Sequence, residues 1–99
     1  MYSITNLNKL AQVGELVPET MNAFKAWDKL ALADGAIPKK YKELMAIAVA
    51  LSTQCPYCIE IHRQQAVDAG ATETELAETI QLAAALRAGG AITHGTHLF

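Results

Sequence analysis

The chain has 99 residues, 52% of them apolar, and a formal charge of −2. With no Lys/Arg run, that balance leaves no electrostatic footprint for nucleic acid or an anionic membrane surface. The length predicts one domain, residues 1–99, and its apolar fraction exceeds the roughly 45–50% of ordinary soluble domains, so self-association is expected to cover what one small core cannot.

Helices follow one another along the chain. The first is predicted from Asn6 to Val17, with Leu7, Leu10, Ala11 and Val17 on one side. Pro18 opens a second at the first-turn position, where its missing N–H costs nothing. Met21, Phe24, Trp27 and Ala31 give it a stripe at three-to-four spacing, and Gly35 closes it. Phe24 and Trp27 read as core or subunit contacts. Pro38 opens a third helix that runs through Leu51, apolar on every side at its centre, the pattern of a helix buried all round. Its run from Leu44 to Leu51 falls far short of the ~20 residues that cross a membrane.

Pro56 opens a fourth helix that stops at Ala69-Gly70. Thr72 and Glu75 form a capping box for the fifth, which continues through Leu76, Ile80, Ala83 and Arg87 until Gly89-Gly90 loosens it. Arg87 reads as a surface or intersubunit charge. His94 and His97 read either as pocket or interface residues or as a solvated helix end. No period-two run appears, so the fold class is all-α, a small bundle of about five helices. The first residues, MYSITNLNKL, lack the basic flank and apolar centre of a secretory signal, and a cytoplasmic location is expected.

The stretch CPYCIEIH, Cys55 to His62, carries the chemistry. CPYC is the spelling of a glutaredoxin site, but there it follows an early β-strand. Here it joins two helices. Pro56 at the first helical position puts Cys55 at the N-cap and Cys58 in the first turn, where free N–H groups and the helix dipole favour a thiolate. Three residues apart, the two cysteines are placed to close a disulfide. His62, one turn beyond Cys58 on the same face, is placed to take its proton directly or through one water.

A third group would fix the histidine tautomer, and Glu43 is the candidate; the alternative is an acid that merely suits the first turn of its helix. At 1.5 Å per residue, Glu43 lies ~18 Å before the break and His62 ~10 Å after it. Straight antiparallel helices would hold them apart, so a kink near Ser52-Thr53-Gln54 or a steep crossing is expected. Cys55, Cys58 and His62 also compose a partial zinc set that Glu43, His94 or His97 would complete, which leaves a metal-binding module as a further alternative.

Glu43, Cys55, Cys58 and His62 together resemble the Glu-x11-Cys-x-x-Cys-x3-His signature of alkylhydroperoxidase AhpD-like proteins, in the carboxymuconolactone decarboxylase superfamily. KELMAIAVA, AVDAGATETELAE and AGGAITHG are similar to that family's core, so the resemblance covers residues 38–97. It implies an all-helical homo-oligomer, a trimer or a hexamer, that reduces hydroperoxides with no cofactor and takes electrons from a protein or small-dithiol reductant. By the same resemblance Cys58 attacks, Cys55 supplies a proton and then resolves the sulfenic acid as a disulfide, and Glu43 with His62 relays the proton. The decarboxylase branch lacks the cysteine pair, which disfavours lactone chemistry. Tyr57 stands where characterised peroxidases of the family carry a histidine; it cannot act as a neutral-pH base and is assigned to substrate contact or to walling off the site. A disulfide reductase or redox adaptor with little peroxidase activity is the alternative function.

Overall fold

The computed structural model describes residues 2–99. Five α-helices follow a short 3₁₀ helix (Ile4–Lys9): α1 (Leu10–Leu16), α2 (Pro18–Leu32), α3 (Lys39–Thr53), α4 (Pro56–Asp68) and α5 (Glu73–His94), with a final 3₁₀ turn (Gly95–Leu98). No strand occurs among the described residues, and the all-α expectation holds. The predicted first helix is divided: its opening turns are 3₁₀, and regular α-helix begins only at Leu10. Ile4, Thr5, Asn6 and Asn8 are weak helix formers, which accounts for the tighter, shorter start.

α3 packs against both α4 and α5, while α1 and α2 form a hairpin that touches α3 along a smaller surface. Small side chains allow the close approach. Ala50, Ala66 and Ala83 are buried together with Ile47, and among the described residues the one large side chain fully removed from solvent is Glu43. The expectation that α3 is buried all round is corrected here, because Met45 and Val49 remain more than half exposed in the single chain.

Two turns set the geometry. Gln54 ends α3 in the left-handed conformation (φ 57°, ψ 50°), and Cys55 N–H then returns to the Ala50 carbonyl at 3.0 Å. This reversal folds α4 back along α3. Gly70, at φ 98°, makes the corresponding turn after α4. Thr72 and Glu75 form the expected capping box, with bonds of 3.1 and 3.0 Å. Gly89 and Gly90 do not interrupt α5, which stays helical to His94. Their cost of about 1 kcal/mol each relative to alanine is offset by strong helix formers on both sides.

The single chain is elongated, 51 × 34 × 28 Å, with a radius of gyration of 16.3 Å where a compact chain of this length has about 13 Å. Its surface of 7541 Å² exceeds the about 5,500 Å² expected of a folded monomer of this mass. The excess is apolar: Trp27, Leu30, Leu86 and Ile92 are each more than 70% exposed.

Candidate active site

The site is assembled where α3, the Gln54 turn and the start of α4 meet. Cys55 occupies the N-cap of α4 with Pro56 at the first helical position, as the sequence predicted, and its sulfur accepts the Cys58 N–H at 3.4 Å. The two sulfurs are free thiols 2.6 Å apart, in direct contact. The Cys58 side chain and the Cys58 backbone N–H both act on the Cys55 sulfur, so the Cys55 thiol is held below its ordinary range. Cys58 moves the other way, pushed up to about 11 by its bond to Cys55, by burial, by the charge on Cys55 and by Asp28. These opposite directions make Cys55 the thiol that ionises first, whereas the resemblance assigns the attack to Cys58.

Cys58 and His62 line one recess of about 300 Å³, together with Asp28, Leu32, Val49 and Thr53. Most of its lining is apolar, so a small organic group and water both fit it. The described residues include no direct hydrogen bond between Cys58 and His62, and a proton passing between them needs a bridging water or a small rotation. Asp28, on α2, escaped the sequence reading. Only the docking of α2 on α3 brings it to the thiols, and no spacing within α2 announces that.

His62 Nδ1 lies 2.6 Å from Oε2 of Glu43, across the α3–α4 contact. The predicted partnership is therefore formed, and the chain reverses at Gln54, within the stretch where a break was expected, with α3 regular up to Thr53. The left-handed turn at Gln54 and the reach of two long side chains close the offset that straight helix axes imply. Lys39 Nζ sits 3.0 Å from the other oxygen, Oε1. In the amide orientation that satisfies both its ends, Gln65 donates to Oε1 at 2.7 Å and to Oε2 at 3.1 Å. Neither Lys39 nor Gln65 was singled out from sequence. Their signals were present: Lys39 is one turn before Glu43, and Gln65 one turn after His62.

Tyr57 does not line this recess. Its hydroxyl accepts a 2.9 Å bond from Asn6 Nδ2, and its ring meets Tyr2 edge-on at 4.7 Å. Tyr2 in turn donates its phenol to Glu60, which pushes the phenol up to about 12 because ionising it would set two anions together. Tyr57 thus ties the N-terminal segment to the cysteine turn. His94 bonds the Gly90 carbonyl and lies near His97 at the end of α5, and neither lines the cysteine recess. Among the described residues, no three of His, Cys, Asp and Glu gather as a metal site requires.

The comparisons with known proteins agree with this architecture. The family model described as carboxymuconolactone decarboxylase family matches residues 18–99. Uncharacterized protein 4 in the cox locus of Paracoccus denitrificans is 49% identical over 73 residues, 74% of this chain and 66% of its own length. A match of 43 residues at 42% identity, covering 43% of this chain but 12% of the other, is to an alkyl hydroperoxide reductase of Mycobacterium tuberculosis. Among solved structures, a carboxymuconolactone decarboxylase family protein from Legionella pneumophila superposes with a TM-score of 0.77 at 41% identity, over 81% of this chain and 71% of that one. Fold and sequence lead to one assignment: this chain belongs to the carboxymuconolactone decarboxylase family.

Proposed function

We propose that this protein is a cytoplasmic, thiol-dependent hydroperoxide reductase that works through a Cys55/Cys58 dithiol–disulfide cycle and self-associates. The observation that carries the reading is a pair of thiols in contact at a helix start, one of which, Cys58, lines the same recess as a histidine backed by a buried carboxylate. The partial likeness to an alkyl hydroperoxide reductase supports it. So does the apolar surface in excess of a monomer's, which supports a homo-oligomer.

In this mechanism the Cys58 proton passes to Cys55 or to His62, leaving Cys58 as thiolate. Its sulfur attacks the terminal oxygen of the hydroperoxide, the O–O bond breaks, and the departing alkoxide takes a proton and leaves as alcohol. Cys58 is now a sulfenic acid. The Cys55 sulfur attacks it, the S–O bond breaks, and the hydroxide leaves as water with a second proton. The dithiol has lost two electrons, which a protein or small-molecule dithiol returns with two protons.

The test is peroxide consumption with excess dithiol. Turnover above the free-dithiol rate, lost in Cys58→Ser and in Cys55→Ser, is expected; wild-type turnover no faster than free dithiol removes the peroxidase reading. A second reading has its own support in the depressed Cys55 thiol at the helix start. It is disulfide exchange with a protein partner, Cys55 attacking. Mixed disulfides trapped in Cys58→Ser but not in Cys55→Ser would select it.

A further inference from the structure

Glu43 is wholly buried, yet its acceptor positions are filled by donors of three kinds: the Lys39 ammonium, the Gln65 amide and the His62 ring. A carboxylate presents about four lone-pair sites. Lys39 and Gln65 occupy Oε1, and Gln65 and His62 occupy Oε2. Lys39 is itself anchored, its Nζ also reaching the Leu32 carbonyl at the end of α2 at 3.4 Å. Both Lys39 and Gln65 line a recess of about 350 Å³ with Asp68 and Ala69, separate from the one that holds Cys58. Glu43 thus has His62 and the thiol recess on one side and the Lys39–Gln65 recess on the other.

We propose that Lys39 and Gln65 are positioning residues that fix the tautomer of His62 through Glu43. By holding Oε1 they keep Oε2 turned to Nδ1. A carboxylate oxygen at Nδ1 selects the ring form that carries its proton there, leaving Nε2 as the acceptor. The proposal rests on the reading of His62 as the group that takes the Cys58 proton, and it names what makes that group competent. Without Lys39 the carboxylate loses its only cationic neighbour at Oε1. It then swings off Nδ1, and the ring is free to carry its proton on Nε2 instead, which removes the acceptor there.

The test is the nitrogen-15 spectrum of His62 in the full chain, which separates the two neutral tautomers and the imidazolium. Wild type is expected to show Nδ1–H with Nε2 bare at neutral pH. Lys39→Met combined with Gln65→Leu should lose that signature, and restoring a cation with Lys39→Arg should recover it. Both side chains border an open recess, so the substitutions empty no core. Alkylation of Cys58 should fall about a hundredfold or more in the double variant, the scale of a lost general base. An unchanged His62 spectrum in a folded double variant overturns the proposal, because a purely structural role would lower stability and leave the tautomer alone. If Cys58 proves inert in wild type, the peroxidase reading fails, but the spectrum still decides the roles of Lys39 and Gln65.

Discussion

Oε2 of Glu43 and Nδ1 of His62 meet at 2.6 Å although 19 residues and a helix break separate them in sequence. The contact belongs to the interior: the glutamate is fully buried and the histidine side chain 16% exposed. It joins α3 to α4 at the level of the thiols, so it bears on the fold and on the chemistry together.

Truncation of Glu43 should therefore cost more than any surface ion pair. Glu43→Ala leaves the Lys39 ammonium, the Gln65 amide and the His62 ring facing an empty site, and a loss of about 3–5 kcal/mol is expected. Glu43→Gln keeps the shape and some hydrogen bonds, so about 1.5–3 kcal/mol is expected. Urea unfolding of both variants checks the order. Equal effects would show that volume, not the donor set, matters at this position.

The thiol pair makes the fold sensitive to alkaline pH. Cys58 stays protonated in the folded chain up to about 11, whereas unfolding releases it to an ordinary thiol value of 9.0. The unfolded state then holds fewer protons, so stability falls as pH rises through that window. Cys55 acts in the opposite sense: its depressed value adds stability as pH rises toward the ordinary thiol range. Unfolding midpoints under reducing conditions should accordingly rise toward about pH 9 and decline beyond it. Cys58→Ser should flatten the decline, and an undiminished fall in that variant would assign it to other groups.

The helices and the cysteine turn were legible because their signals are local. Pro18, Pro56, Gly70 and the Thr72–Glu75 box each act within one turn of chain, and each sits where it was expected. Glu43 was legible as the candidate partner of His62 from residue type, and the family signature strengthened that pairing. Reasoning from straight helices called for a kink near Ser52-Thr53-Gln54 or a steep crossing, and the left-handed Gln54 is the break in that stretch, though its conformation was not legible. Lys39, Gln65 and Asp28 were missed for a related reason: their roles exist only once three helices are packed. The predicted burial of α3 counted apolar residues without asking what would cover Met45 and Val49.

The left-handed Gln54 makes a separate prediction. A side chain in that conformation costs roughly 1–2 kcal/mol that glycine avoids, against the 0.5–1 kcal/mol glycine gives up in chain entropy. Gln54→Gly should therefore raise stability by up to about 1.5 kcal/mol. A β-branched valine at the same place should lower it, since such residues tolerate positive φ least. Thermal melts of the two variants decide the matter. A destabilising glycine would mean that the Gln54 side chain, rather than its backbone, holds the turn.

Self-association is expected to use the apolar surface that α5 leaves open. Leu86 and Ile92 are 71% and 76% exposed, so replacing both with lysine removes little from the fold of one chain. Lysine is a good helix former, and at Ile92, in the last turn of α5, it also suits the dipole, so circular dichroism should stay that of a helical protein. Each such side chain contributes about 1.5–3 kcal/mol when buried in an interface. Losing two should weaken association by two decades or more in Kd, where 1.4 kcal/mol is tenfold. Sedimentation velocity should show an oligomer for wild type and a shift toward monomer for Leu86→Lys with Ile92→Lys. A monomeric wild type at about 100 µM, a concentration where even a weak Kd of that order would register, would sink the assignment. The same experiment reports on the active site, because Val49 is exposed on one chain yet lines the cysteine recess. If a second copy covers that part of α3, dissociation opens the recess to water. Alkylation of Cys58 in the dissociated variant should then depart from wild type, although neither substitution touches the site.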